Sequence, residues 1–103
     1  MRFEQFWPRY LGAHSDPRTR LLHVAGTLAA TGLVAAAAAL RKPSLLGLAL
    51  VAGYGPAWFS HAVIERNKPE TFRAPFSSLR ADYVMAWHVL RGTISREYQK
   101  LSA

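Results

Sequence analysis

His61 and Glu65 stand four residues apart in the stretch Gly53–Pro69, which closes a long apolar run. On a helix that spacing puts an imidazole and a carboxylate on one face. Apolar sequence of this kind does not carry polar pairs cheaply, and those it keeps are often functional. Two further imidazoles, His14 and His23, lie far upstream. Neutral imidazoles with a carboxylate are the usual donor set for non-haem iron or catalytic zinc. The chain has no cysteine, so disulfides and thiolate ligands are excluded, and nitrogen and oxygen ligands suit iron, zinc or manganese better than an iron–sulfur cluster.

These four residues share a site only if the elements that carry them are neighbours. The chain has 103 residues, enough for one domain. Half of its residues are hydrophobic, yet mean hydropathy is only +0.02 because the apolar residues are concentrated in the middle. No charge occurs between Leu21 and Leu40, or between Ser44 and Ile64, and Arg41-Lys42-Pro43 separates the two runs. Asp16 and Pro17 form an N-cap and first-turn pair that should open the first run. Asn67 and Pro69 should stop the second. About 20 apolar residues cross a bilayer. The expectation is an all-α, membrane-associated domain over residues 1–103, with apolar helices at about 17–40 and 44–66.

A three-residue connection makes those helices an antiparallel hairpin, with Gly26, Ala30 and Gly47 allowing close approach. His23 near the start of one helix and His61 near the end of the other then fall at similar depth, and His14 lies just before the capped start. Four candidate ligands, His14, His23, His61 and Glu65, meet at the open end. His88, on the last segment, reads as a surface residue.

Two amphipathic helices flank the hairpin. The first, about 2–11, carries Phe3, Phe6, Trp7, Tyr10 and Leu11 at helical spacing, with Pro8 expected to kink it. It suits either core packing or a membrane interface. The second, about 76–100, has Phe76, Leu79, Tyr83, Trp87 and Leu90 in a stripe that should cover something apolar. The N-terminus lacks the apolar core of a cleaved signal peptide.

The net charge of +7 calls for an anionic partner. The basic residues flank the apolar runs and form no compact recognition element, which favours lipid headgroups over nucleic acid. Their distribution places both termini in the cytoplasm. A water-soluble helical bundle is the other solution open to such Ala-rich segments.

The pattern Tyr10-Leu11, His14, Pro17, Arg20-Leu21-Leu22-His23, Gly26-Thr27, Gly53-Tyr54-Gly55, Ala57-Trp58, His61, Glu65, Asn67, Pro69, Thr71-Phe72, Pro75, Ser78-Leu79 and Asp82 resembles the Mpo-type iron(II)-dependent 2-hydroxy fatty acid dioxygenases of α-oxidation. The resemblance spans roughly residues 6–92. It implies a helical protein, in bacteria of the inner membrane, that uses histidine-bound Fe2+ and O2 to shorten a 2-hydroxy fatty acid by one carbon, with Zn2+ as a substitute ion. His14, His23 and His61 would be ligands, and Glu65 a fourth ligand or a partner behind them. Arg20, Arg66 and Lys68 would attract the substrate carboxylate, the acyl chain would lie near Trp58, Phe59 and Trp87, and Asn67 and Asp82 would support the ligands. Thr19, Ser60 and His88 depart from the family pattern. The competing class is a non-enzymatic membrane protein whose hairpin forms a homo-oligomer or organises lipid.

Overall fold

The computed structural model describes residues 2–102 and is all-helical, with no strand among the described residues. Helix α1 covers Phe3–Gly12, α2 Pro17–Leu40, α3 Ser44–Phe59, α4 Pro75–Arg91 and α5 Ile94–Ser102. A π-helical turn, Ser60–Glu65, extends α3, and a 3-10 turn, Glu70–Phe72, precedes α4.

Asp16 caps α2, its carboxylate accepting from the Arg18 N–H at 2.8 Å, and Pro17 occupies the first turn. The helix ends on Arg41, which adopts φ 54°. α2 is the one described helix long and apolar enough to cross a membrane. α3, with 16 residues, spans only about 24 Å of the roughly 30 Å hydrocarbon core.

α2 and α3 lie against each other with contacts running in opposite order. His23 faces Ser60, while Gly26 meets Ala52, Gly53 and Pro56, and Ala30 meets Gly53. A Cβ on Gly26 would sit 2.9 Å from the Ala52 carbonyl oxygen, so only glycine admits this approach. Gly47 plays no such part, since a Cβ there would meet no atom within 4 Å; Gly53 is its counterpart in the contact.

α1 packs on α4 through Phe6, Tyr10, Ala81 and Met85, all buried, with Phe3, Trp7, Val89 and Ile94 around them. Pro8 does not interrupt α1. Both Pro8 and Glu4, whose carbonyl loses its helical donor, are exposed, so water can satisfy that oxygen.

α4 packs on the protein through a face other than its apolar stripe. Its apolar stripe points outward: Phe76 is 86% exposed, Leu90 65% and Trp87 59%. The buried face is Ser78, Ala81, Met85 and Ala86. Periodicity identifies an apolar face but not whether protein or another apolar medium meets it. The single helix expected over 76–100 is also two, because Gly92 takes φ 76° and ends α4.

Candidate metal centre

His14 sits in the loop between α1 and α2, His23 in the second turn of α2, and His61 in the π-turn. All three are buried. Each presents its Nε2 to the same point: His14 Nε2 lies 3.0 Å from His23 Nε2 and 3.1 Å from His61 Nε2. One nitrogen from each residue falls within 4.8 Å of the others.

The opposite ring nitrogens fix the tautomers. His14 Nδ1–H donates to the Tyr10 carbonyl at 2.6 Å, and His23 Nδ1–H to the Thr19 carbonyl at 3.0 Å. His61 Nδ1–H donates to Asn67 Oδ1 at 2.6 Å. The Asn67 amide is oriented in turn, because its Nδ2 donates to the Ala13 carbonyl at 3.2 Å. A neutral imidazole has one N–H. With every proton committed to a carbonyl oxygen, three bare lone pairs converge. Acceptors 3.0 Å apart repel unless a cation lies between them. The arrangement can therefore hold a metal ion, and oriented Nδ1–H groups are the usual accompaniment of metal-bound histidine. The separations of 3.0 and 3.1 Å match nitrogens about 2.1 Å from a shared ion at an angle of about 90°.

Burial drives the His14 pKa down from 6.5 to about 2, and nearby His23, His61 and Arg20 act in the same direction against the Tyr10 carbonyl bond. His14 is thus neutral and ready to bind metal at physiological pH. Its ring also stacks on Tyr10 with centroids 3.9 Å apart.

Local backbone makes the His61 position. Ser60–Glu65 widens into a π-turn, a feature frequent at functional sites. Arg66 then adopts φ 58°, and the reversal returns Asn67 to His61, with Asn67 N–H donating to the His61 carbonyl at 2.9 Å.

Glu65 takes a different place from that of a fourth ligand and stands outside the imidazole cluster. Its oxygens accept from the Ser15 hydroxyl at 3.0 Å, the Asp16 N–H at 2.9 Å and the Thr19 hydroxyl at 2.6 Å. Burial pushes its carboxyl up, but the bonds from Thr19, Asp16 and Ser15 outweigh that and hold it below the ordinary carboxylate value. Glu65 ties the π-turn to the start of α2.

The other sequence candidates divide. Arg20 is committed, its Nη1 donating to the His14 and Ser15 carbonyls at 2.9 and 3.0 Å. Arg66 and Lys68 are exposed on either side of Asn67. Trp58 packs between Tyr54 and Phe72. Asp82 touches no imidazole; it accepts a hydrogen bond from the Tyr10 hydroxyl and so steadies the ring beneath His14. His88 is half-buried instead of superficial, bonded to Thr93 Oγ1 at 2.8 Å beside Trp7. Thr19 and Tyr10 escaped notice as supports, although each precedes a candidate histidine by four residues. Tyr98, which bonds the His14 loop, had no local signal at all.

The fold and site define an all-helical protein with a buried three-histidine centre. A family model described as 2-hydroxy-palmitic acid dioxygenase Mpo1-like matches residues 1–94, and the chain belongs to that family. No curated protein and no solved structure matches it.

Proposed function

We propose that this chain is a membrane-embedded non-haem iron dioxygenase that shortens 2-hydroxy fatty acids by one carbon. The observation that carries this reading is the convergence of three unprotonated Nε2 atoms whose Nδ1 protons are all spoken for. The family description supplies the substrate class. Three nitrogen ligands from His14, His23 and His61 leave coordination positions free, as a catalytic metal requires.

Bound Fe2+ would supply O2 activation and redox capacity, and would take the hydroxyl and carboxylate of a 2-hydroxy acid. The chain's own residues do the rest. Tyr10, Thr19 and Asn67 hold the imidazoles in the binding tautomer. Glu65 locks the π-turn to α2. Burial of all three rings keeps bulk water from the centre. Arg66 and Lys68 remain free to draw the substrate carboxylate from the interface, whereas Arg20 is already engaged. Trp58 and Phe72 offer an aromatic wall to the acyl chain.

Membrane insertion is supported by the outward apolar faces of α2, α3 and α4, including Leu28, Leu48, Val51, Phe59 and Phe76. α2 and α3 form the hairpin. Arg41 and Lys42 mark one end; Arg18, Arg20, Arg66, Lys68 and Arg73 mark the other, a charge distribution that supports both termini lying in the cytoplasm of a bacterial inner membrane.

The test uses protein purified anaerobically in detergent and loaded with Fe2+. Addition of 2-hydroxypalmitic acid and O2 should yield the fatty acid one carbon shorter, with no product when Zn2+ replaces iron. Protein that holds one iron per chain yet leaves 2-hydroxy acids of every length untouched would overturn the enzymatic reading. A non-enzymatic membrane module would then stand in its place.

A further inference from the structure

The loop that carries His14 is held from several sides. Glu65 takes the Ser15 hydroxyl and the Asp16 N–H, Asn67 takes the Ala13 carbonyl, and Arg20 takes the His14 and Ser15 carbonyls. Those three residues lie on, or next to, segments that carry His23 or His61. The remaining tie comes from elsewhere. The Tyr98 hydroxyl reaches the Leu11 and His14 carbonyl oxygens at 2.8 and 2.7 Å. Tyr98 belongs to α5, 84 residues along the chain from His14 and beyond residue 94, where the family match ends.

A phenol has one proton, so this hydroxyl is shared between two converging carbonyls. The Arg20 guanidinium lies over the Tyr98 ring, 4.7 Å from its centroid, while bonding the same His14 carbonyl. Tyr98 therefore holds both the loop and the side chain that braces it. α5 is anchored separately at Glu97, which accepts from the Trp7 indole N–H at 3.1 Å. Gly92 at φ 76° turns α5 back toward α1, and the Thr93 N–H closes the turn on the His88 carbonyl at 2.8 Å.

We propose that α5 is a clamp on the metal-binding loop, with Tyr98 as its positioning residue. The proposal rests on the reading of the three histidines as a metal centre. Among the three, His14 alone hangs on a loop with no helical backbone to place it. The partners of that loop's carbonyls therefore set where its Nε2 stands. Loss of the clamp costs metal affinity before it costs the fold. Removal of the Tyr98 hydroxyl leaves the Leu11 carbonyl with the His14 N–H and the His14 carbonyl with Arg20, so neither oxygen is orphaned. Binding free energies are reciprocal, so metal must tighten α5 by the factor that α5 tightens metal.

Two measurements test this in detergent-solubilised full-length protein. Chelator competition with Co2+ compares the wild type with Tyr98→Phe and Glu97→Gln. Tyr98→Phe keeps the ring under Arg20 and should bind the metal about tenfold more weakly, as supporting partners of metal ligands usually do, with an altered Co2+ absorption spectrum. Glu97→Gln keeps a side-chain oxygen to accept from the Trp7 indole, so it leaves α5 anchored and the His14 loop untouched, and should bind as the wild type does. Hydrogen exchange on the unmutated protein provides the second measurement: amides of α5 should exchange about tenfold more slowly with Co2+ bound, by the same reciprocity. Wild-type affinity and spectrum in Tyr98→Phe, an equal loss in Glu97→Gln, or α5 exchange indifferent to metal would each overturn the clamp alone. A wild type that takes up no metal would overturn the metal centre and the clamp together.

Discussion

The two halves of α2 differ in composition and meet different surroundings. Its first half buries Thr19, His23, Val24 and Gly26, gripped by the π-turn, α3 and the His14 loop. In its second half Ala37 is the one buried residue, and Val34 and Leu40 stand roughly half exposed or more. Intrinsic helix tendency is higher in the Ala-rich far half, so it does not explain why the near half is the buried one. What separates them is the number of polar groups that must be answered: every buried donor near His23 has an acceptor, while the far half asks only for an apolar medium. Specific polar contacts are concentrated at one end, and the other end presents apolar side chains outward.

The sharpest way to break that contrast is to remove a ligand. His61→Ala should lower bound iron from one per chain to near zero in metal analysis, while circular dichroism still reports a helical protein. His14→Ala and His23→Ala should do the same. A matching substitution in the far half, such as Val34→Ala, should leave metal content unchanged.

Next in size is the residue that holds His61. Asn67→Ala frees the ring to adopt either tautomer, and metal affinity should fall about 10–100-fold in chelator competition. An unchanged affinity would mean that the π-turn alone orients the imidazole.

Glycines compare the halves more gently. At Gly26 an added Cβ would press on the Ala52 and Gly53 carbonyl oxygens, at 2.9 and 3.2 Å, whereas at Gly32 it would meet no atom within 4 Å. Gly26→Ala should cost about 1–3 kcal/mol through overpacking. Gly32→Ala should be neutral or gain up to about 1 kcal/mol from helix propensity. Unfolding in detergent read by circular dichroism distinguishes them, and equal effects would erase the proposed difference.

The most diffuse effect is that of pH on the metal-free protein. His14 stays neutral in the folded state to about pH 2, while the unfolded chain protonates it below its ordinary 6.5. The unfolded state thus binds the extra proton, and stability falls as pH drops from 6.5, by about 1.4 kcal/mol per unit for this one group. The dependence of stability on pH below 6.5 should be shallower in His14→Gln. An identical slope would assign the acid sensitivity to other groups.

Much of the centre could be read from residue types and spacing. Asp16-Pro17 signalled the start of α2 through local chemistry, and the helix rise brought His23 and His61 to one level. Other features depend on partners that no local pattern encodes. Glu65 has the spacing of a ligand beside His61, but its oxygens go to Ser15, Asp16 and Thr19, donors that the fold brings to it from the start of α2. The stripe on α4 was visible while its direction was not, since apolar side chains suit a lipid-like medium as well as a core. Tyr98 reaches the loop only through the reversal at Gly92, so nothing near His14 in the chain announces it.

The π-turn has one further consequence. Its six residues spread over a wider loop than an α-helical turn, so the chain beyond Glu65 emerges at an angle set by the exact residue count. Deleting a single residue there would rewind the segment and carry Asn67 away from its imidazole, although every ligand would still be present. Evolution can exchange side chains along this stretch, but it has little freedom to change the stretch's length.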